Sequence, residues 1–309
     1  MYSTQSPADR LRTFLKSSGV LSKLLLINVL VWFLVNFGSV IAFLFREPGK
    51  DTETIWLTFI TNWLALPAQI SGFASRPWTI ISYMFLHLDF WHLLFNMLWL
   101  YWFGKIFLEF LTNRQLLASY LFGGLAGGLV YMAAFNIFPV FAQSLPQAVA
   151  IGASASVLSV VIMISFTVPD YVINLLLIGK VKIKYIAIFM VITDLLMIRS
   201  GNAGGHFAHL GGALWGIAYM LLLRNRLDPS RIFDVFNRSS LASRRKKNPK
   251  TVKFRKVHQS AKPLTDEEYN ARKAHDQQRI DEILDKIAKS GYTTLSKEEK
   301  EFLFKSSKK

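Results

Sequence analysis

The chain of 309 residues contains no cysteine, which excludes disulfides, thiolate metal sites and a cysteine nucleophile. Charge is sparse as well. Asp, Glu, Lys and Arg make up 18% of the residues against 52% hydrophobic, and mean hydropathy is +0.30. That balance is too apolar for an ordinary soluble domain and points to a membrane protein. Acid is the scarcer sign, 20 residues against 36 basic, for a formal net charge of +16. The basic excess is local: residues 224–263 hold 13 Lys and Arg against 2 Asp and Glu, whereas 264–309 hold 10 of each. A surplus placed directly after the last apolar stretch suits anionic lipid headgroups as its partner and argues against nucleic acid. No small-residue cleavage site follows the first long apolar run, which therefore reads as a retained span and not a signal peptide. Repeats are absent too.

What is present is a series of apolar runs. A helix needs roughly 20 mainly apolar residues to cross about 30 Å of hydrocarbon. Six spans are predicted, at 20–45, 91–110, 116–138, 151–168, 185–198 and 206–223. The fourth and fifth are short, as a span can be when neighbours cover its ends. The segment 46–90 mixes charge with Trp, Leu and Phe and reads as amphipathic and interfacial, with Trp56, Trp63 and Trp78 at headgroup depth. A second amphipathic piece is predicted at 169–184. Arg10, Arg12, Lys16 and Lys23, then Lys105 and Arg114, then Lys180, Lys182 and Lys184, and finally the basic tail all fall on one side of a six-span chain. The positive-inside rule puts that side, and both termini, in the cytoplasm. Beyond the spans, helices are predicted at 265–288, capped by Thr265 with Glu268, and at 296–305, capped by Ser296 with Glu299; Gly291 separates them. The expected fold is thus all-α: a polytopic membrane bundle of six transmembrane helices with a small helical C-terminal cytoplasmic appendage. Its parts are a cytoplasmic segment 1–19, the core 20–225, a basic linker 226–263 and a helical tail 264–309.

Three places carry possible chemistry. His92 and Asn96, four apart, share one helix face near the start of the second span. Two donors there serve either as glue between helices or as a functional pair. Gly152, Ala153, Ser154, Ala155 and Ser156 open the fourth span; alone, such a run reads as close helix packing. His209, Gly212 and Gly216 lie within about 60° on one face of the sixth span, at 100° per residue. Taken together they say more. Glycines bring the sixth helix close to a neighbour at the level of His209, and the small residues around Ser154 offer a matching surface. A serine hydroxyl needs a base in reach, and neutral imidazole supplies one. Acyl transfer also needs donors for the developing oxyanion, which the Ser154 amide, His92 and Asn96 could provide. In the six-span topology all three places start on the non-cytoplasmic side, at similar depth.

In these motifs the chain resembles the rhomboid intramembrane serine proteases of bacterial type. The family pattern is a His-x-x-x-Asn helix, a Gly-x-Ser motif opening a short helix, and an Ala-His-x-x-Gly-x-x-x-Gly helix. All three occur here in family order, at His92–Asn96, Gly152–Ser154 and 208–216. The resemblance covers roughly residues 20–225. It implies a serine endopeptidase that cuts transmembrane protein substrates with Ser154 as nucleophile and His209 as base, without an Asp, a metal or a cofactor. It further implies an oxyanion hole of His92, Asn96 and the Ser154 amide, and a supporting role for His87. The simpler bacterial members suggest a bacterial inner membrane. Three positions depart from the pattern: Ala155 and Leu158 replace the usual Gly and Tyr, and Trp78-Thr79 replaces a Trp-Arg pair, with Arg76 nearby. Asp194 in the fifth span has no evident partner, and His206 reads as a residue at the sixth helix's entrance. No metal ligands are expected to cluster. Two other readings are a rhomboid-like protein without activity, disfavoured because Ser154 and His209 are retained, and a small transporter, disfavoured because no paired halves with broken helices are seen.

Overall fold

A computed structural model describes residues 19–175, 179–234, 266–291 and 294–306. They fall in two compact units, Met1–Lys246 and Lys247–Lys309.

The first unit opens with α1 (Val20–Leu44), almost wholly apolar. Its buried Asn28 is tied into the bundle through Nδ2, which donates to the Leu24 carbonyl at 2.8 Å and to the Tyr120 hydroxyl at 3.0 Å, while its Oδ1 has no partner among the described residues. The segment after it folds as α2 (Thr52–Leu64), capped by Asp51, then the short α3 (Ile70–Ser75) and α4 (Thr79–Ser82). Next come α5 (Phe90–Phe110), capped by Asp89, and α6 (Asn113–Ile137), which starts in a reciprocal Thr112–Gln115 capping box. Then follow α7 (Ser154–Thr167), α8 (Ile183–Met197) and α9 (Ala203–Arg224). A helix forms at each of the six predicted positions. Four of them, α1, α5, α6 and α9, are long and apolar enough to cross a membrane by length and composition; α7 has 14 residues and α8 has 15.

Helix α7 is the axis of this unit. Every residue from Ala155 to Ser165 is buried, as expected for a helix that is apolar all round. α6 and α9 press on it through glycines. A Cβ added at Gly212 would fall 2.1 Å from the Ala155 carbonyl oxygen, and one at Gly216 would fall 2.7 Å from that of Ser159. No larger residue permits this approach, so the small-residue stripe read from the sequence is a packing device.

One expectation takes a definite form and one is amended. The amphipathic piece at 169–184 is extended: β3 (Val172–Leu175) and β4 (Gly179–Lys182) pair antiparallel, with Val172 opposite Lys182. The β-branched Val172, Ile173 and Val181 favour this, and exposed Asp170 bridges Lys182 and Lys184 at 2.9 and 3.0 Å. These lysines hold the Asp170 carboxyl below its usual range. A second ladder, β1 (Leu66–Pro67) against β2 (Val149–Ala150), means that the fold is mostly helical but not purely so.

The second unit contains α10 (Asp266–Ser290) and α11 (Lys297–Ser306). The predicted box at the start of α11 is present: the Ser296 amide donates to Glu299 Oε2 at 2.7 Å and the Glu299 amide to Ser296 Oγ at 3.2 Å. Gly291, at φ +79°, takes the left-handed turn between the helices. Lys286 reaches Glu299 at 2.9 Å, and Arg279 lies over the Phe302 ring. The cap predicted at Thr265 and Glu268, the basic stretch around Arg244 to Lys247 and the N-terminal residues 1–18 lie outside the described residues and side chains.

Candidate active site

The site is built on the loop that precedes α7, and the segment between α1 and α5 holds that loop in place. β1 pairs with β2 just upstream, and the Ala68 amide donates to the Ala148 carbonyl at 2.9 Å. The Gly152 amide donates to the Tyr83 carbonyl at 2.8 Å, and the Ala153 amide to His87 Nε2 at 3.2 Å. His87 is fully buried; burial first, and then neighbouring His92, push its pKa down to about 4. It is therefore neutral, and because Nε2 accepts, its proton sits on Nδ1. His87 thus ties the loop before α7 to the segment between α1 and α5.

Gly152 sits at φ +109°, a region that L side chains rarely adopt. A Cβ there would also fall 2.6 Å from Cε1 of His92, so the His92 ring lies directly on the loop. The loop delivers Ser154 to the first position of α7, where the helical N–H groups lack i−4 partners and the helix dipole favours negative charge. Asn96, one turn after His92, donates from Nδ2 to the His92 carbonyl at 2.9 Å and lies 3.3 Å from His87 Nε2. One amide hydrogen is thus engaged, and the other shares the single Nε2 lone pair of His87 with the Ala153 amide.

From the other side α9 brings His209 against α7, with Gly212 one turn below it. His92, Asn96, Gly152, Ser154 and His209 line one cavity of about 1100 Å³. His87, Gly212 and Gly216 lie behind its walls. No hydrogen bond joins the Ser154 hydroxyl to His209 among the described residues. Ala155, where the family has glycine, is buried against Gly127: a Cβ added there would fall 2.5 Å from that of Ala155. Leu158 lines the cavity. Arg76 donates to the Asn62 carbonyl and Trp78 Nε1 to that of Trp63 at 2.9 Å, so both tie the turn 76–78 back to α2.

Two sequence expectations are corrected here. Asp194 has partners: its Oδ1 lies 2.8 Å from Nδ1 of His206 and 2.8 Å from Nδ1 of His209. The three residues also form a set whose possible ligand atoms all lie within 4.8 Å of one another, so groups able to hold a metal ion do converge. The sequence missed this because α8 and α9 are joined by the turn at 198–202, and separation along the chain does not report which face Asp194 presents to the next helix. The available signal was Asp194 itself, since an ionisable residue within a membrane helix is a functional candidate by default.

Residues 74–226 match the family model described as a Rhomboid domain, and residues 265–309 match a family of unknown function, DUF6576. A similar protein is RHOMBOID-like protein 12, mitochondrial, of Arabidopsis thaliana, 29% identical over 149 residues. That alignment covers 45% of this chain and 44% of the relative, so the chain spans less than half the length of the curated relative it matches.

Proposed function

The chain belongs to the rhomboid family and is an integral membrane protein, and we propose that it is a serine endopeptidase that cuts membrane proteins in or near their transmembrane segments. One observation carries this reading. Ser154, His209, His92 and Asn96, drawn from three helices, line a single cavity, and the contact of His209 Nδ1 with Asp194 leaves its Nε2 free to accept a proton. In the proposed reaction Ser154 Oγ attacks the scissile carbonyl carbon while His209 Nε2 takes the hydroxyl proton. The oxyanion draws on the Ser154 amide, His92 and Asn96. Collapse breaks the C–N bond as His209 returns the proton to the leaving amine. Water, with His209 again as base, then hydrolyses the acyl-enzyme to the free carboxylate and restores Ser154. A helical substrate keeps its carbonyls hydrogen-bonded, so it must unwind locally before attack.

A fluorophosphonate probe tests this directly. It is expected to label wild-type protein at Ser154, seen by mass spectrometry of the modified peptide. Absence of label on folded protein would instead support a rhomboid-like protein that binds membrane segments without cutting them, a reading favoured by the missing Ser154–His209 hydrogen bond.

The geometry of Asn96 sets a second expectation. Removing an oxyanion donor costs on the order of 10²–10³ in kcat in a soluble serine protease. Here one amide hydrogen is held by the His92 carbonyl and the other shares His87 Nε2 with the Ala153 amide, so stabilising the oxyanion exchanges one contact for another. Asn96→Ala is therefore expected to lower kcat by less, about 10-fold, with KM unchanged. A collapse of KM at constant kcat would assign Asn96 to substrate binding.

We also propose a six-span arrangement in a bacterial inner membrane with both termini cytoplasmic, in which the short α7 and α8 cross within the bundle. The support for its orientation is the distribution of Lys and Arg. The basic stretch around Arg244, Arg245, Lys246 and Lys247 would bind anionic headgroups at about 1 kcal/mol per charge. A reporter fused after Lys309 is expected to read as cytoplasmic; an external reading would overturn the arrangement.

A further inference from the structure

We infer that Asp194 is a positioning residue that orients His209, so that the site works as a Ser154–His209–Asp194 relay and not as a bare pair. The inference rests on the reading of Ser154 and His209 as nucleophile and base.

Asp194 sits near the C-terminal end of α8 with only 10% of its side chain exposed. A carboxylate buried at membrane depth is costly unless donors surround it. It has two, both on α9: His206 and His209 lie three residues apart, on one face of the first two turns, and both direct Nδ1 to the same Oδ1 at 2.8 Å. A carboxylate oxygen accepts, so each Nδ1 carries a proton, and in the neutral form of either ring Nε2 is left as the acceptor. For His209 that is the tautomer a general base needs. The same contact limits rotation of the ring about its side-chain bonds, and its negative charge lies where positive charge appears as His209 takes the serine proton. Those are the three services that the buried aspartate performs in soluble serine proteases: tautomer, orientation and stabilisation of the imidazolium.

His206 gives the arrangement its rigidity. It makes the second hydrogen bond to Oδ1, and its ring meets that of His209 edge-on, with centroids 6.0 Å apart. Asn202 caps α9 through the Gly205 amide at 3.2 Å and so fixes the turn on which His206 sits. Asp194 is thus held by two residues of one rigid helical turn, and His209 is held through it. The alternative occupant of this cluster is a divalent transition metal. A metal would take the Nδ1 atoms that the carboxylate now occupies, and it would make activity depend on added ion.

The test compares Asp194→Asn, Asp194→Glu and His206→Ala in detergent on a purified transmembrane substrate, with Ser154→Ala and His209→Ala alongside and thermal unfolding recorded for each. Asparagine is isosteric, but its amide can donate to Nδ1 and so hold the wrong tautomer; the corresponding change in a soluble serine protease lowers kcat by about 10⁴. The expected result for Asp194→Asn is a fall in kcat of about 10²–10⁴ with KM and the unfolding temperature unchanged. Asp194→Glu should recover part of the rate, and His206→Ala should cost less than Asp194→Asn. Wild-type kcat in folded Asp194→Asn, with Ser154→Ala and His209→Ala inactive, overturns the positioning role alone. Activity in Ser154→Ala or His209→Ala overturns the underlying reading and the relay with it. Loss of wild-type activity on EDTA, restored by zinc, overturns the relay in favour of a metal site.

Discussion

Ser154→Ala and His209→Ala are each expected to reduce cleavage of a transmembrane substrate by about 10⁴-fold or more, to the background of the assay, while the protein remains inserted and folded. In a soluble serine protease, loss of either nucleophile or base costs about 10⁶ in kcat, and losing both costs scarcely more, because the two act as one unit. The double variant should therefore be no worse than either single. Neither side chain carries the packing: Ser154 begins α7 at the cavity, and His209 lies above the Gly212 contact, also facing the cavity. Ser154→Ala should keep the wild-type unfolding temperature, and His209→Ala, which takes one of two donors from the buried Asp194 carboxylate, should lower it modestly because His206 still donates, so with both proteins folded the loss can be read as chemistry. Near-normal turnover in either variant would remove that residue from the mechanism. Additive losses would mean that two independent groups act, not a nucleophile with its base.

The residues that this prediction uses were legible in the sequence, and the physical reason is that each sits in a local pattern. His92 and Asn96 are four apart on one helix; Gly152 and Ser154 mark a turn into a helix; His209, Gly212 and Gly216 make a small-residue face. Helix positions were legible for the same reason, since apolar runs of this length have few alternatives. What local pattern does not encode was missed. The hairpin at 172–182 was read as an amphipathic piece without a stated form, because a short apolar alternation between charged residues suits either structure. His87 could be assigned a supporting role only by family resemblance. That Nε2 accepts from the Ala153 amide, 66 residues away, appears only when the chain is folded. Asp194 is the clearest case. Alone in an apolar helix it had no partner within reach along the chain, and its two partners come from the next helix across a turn.

Gly212→Ala is expected to cost about 10²-fold in kcat, more than its cost in stability alone would explain. The Cβ it adds falls 2.1 Å from the Ala155 oxygen, 2.8 Å from its carbonyl carbon and 3.1 Å from its Cα. All three are backbone atoms of a helix buried on every side, so no side-chain rotation relieves the clash. Ordinary contact between non-bonded carbons is about 3.5–4.0 Å, so α7 and α9 must part by roughly 1 Å. Overpacking of this kind costs about 1–3 kcal/mol. The catalytic consequence is larger because of where the wedge enters. Ala155 follows the proposed nucleophile directly and Gly212 lies one turn from His209, so the separation falls on the Ser154–His209 distance itself, and a misplacement of about 1 Å can cost 10²-fold. Gly216→Ala supplies the comparison. Its Cβ would meet the Ser159 oxygen at 2.7 Å and Ile162 Cβ at 3.0 Å, a milder clash one turn further from the chemistry. It should lower the unfolding temperature while retaining most of kcat, since the helices can splay below the site and stay closed at it. Measured together by thermal unfolding and single-turnover cleavage, the two variants should separate: loss of rate outrunning loss of stability at Gly212 and lagging behind it at Gly216. Equal losses of rate at equal losses of stability would mean that the glycine stripe only holds the bundle together and has no part in setting the distance between the proposed nucleophile and base.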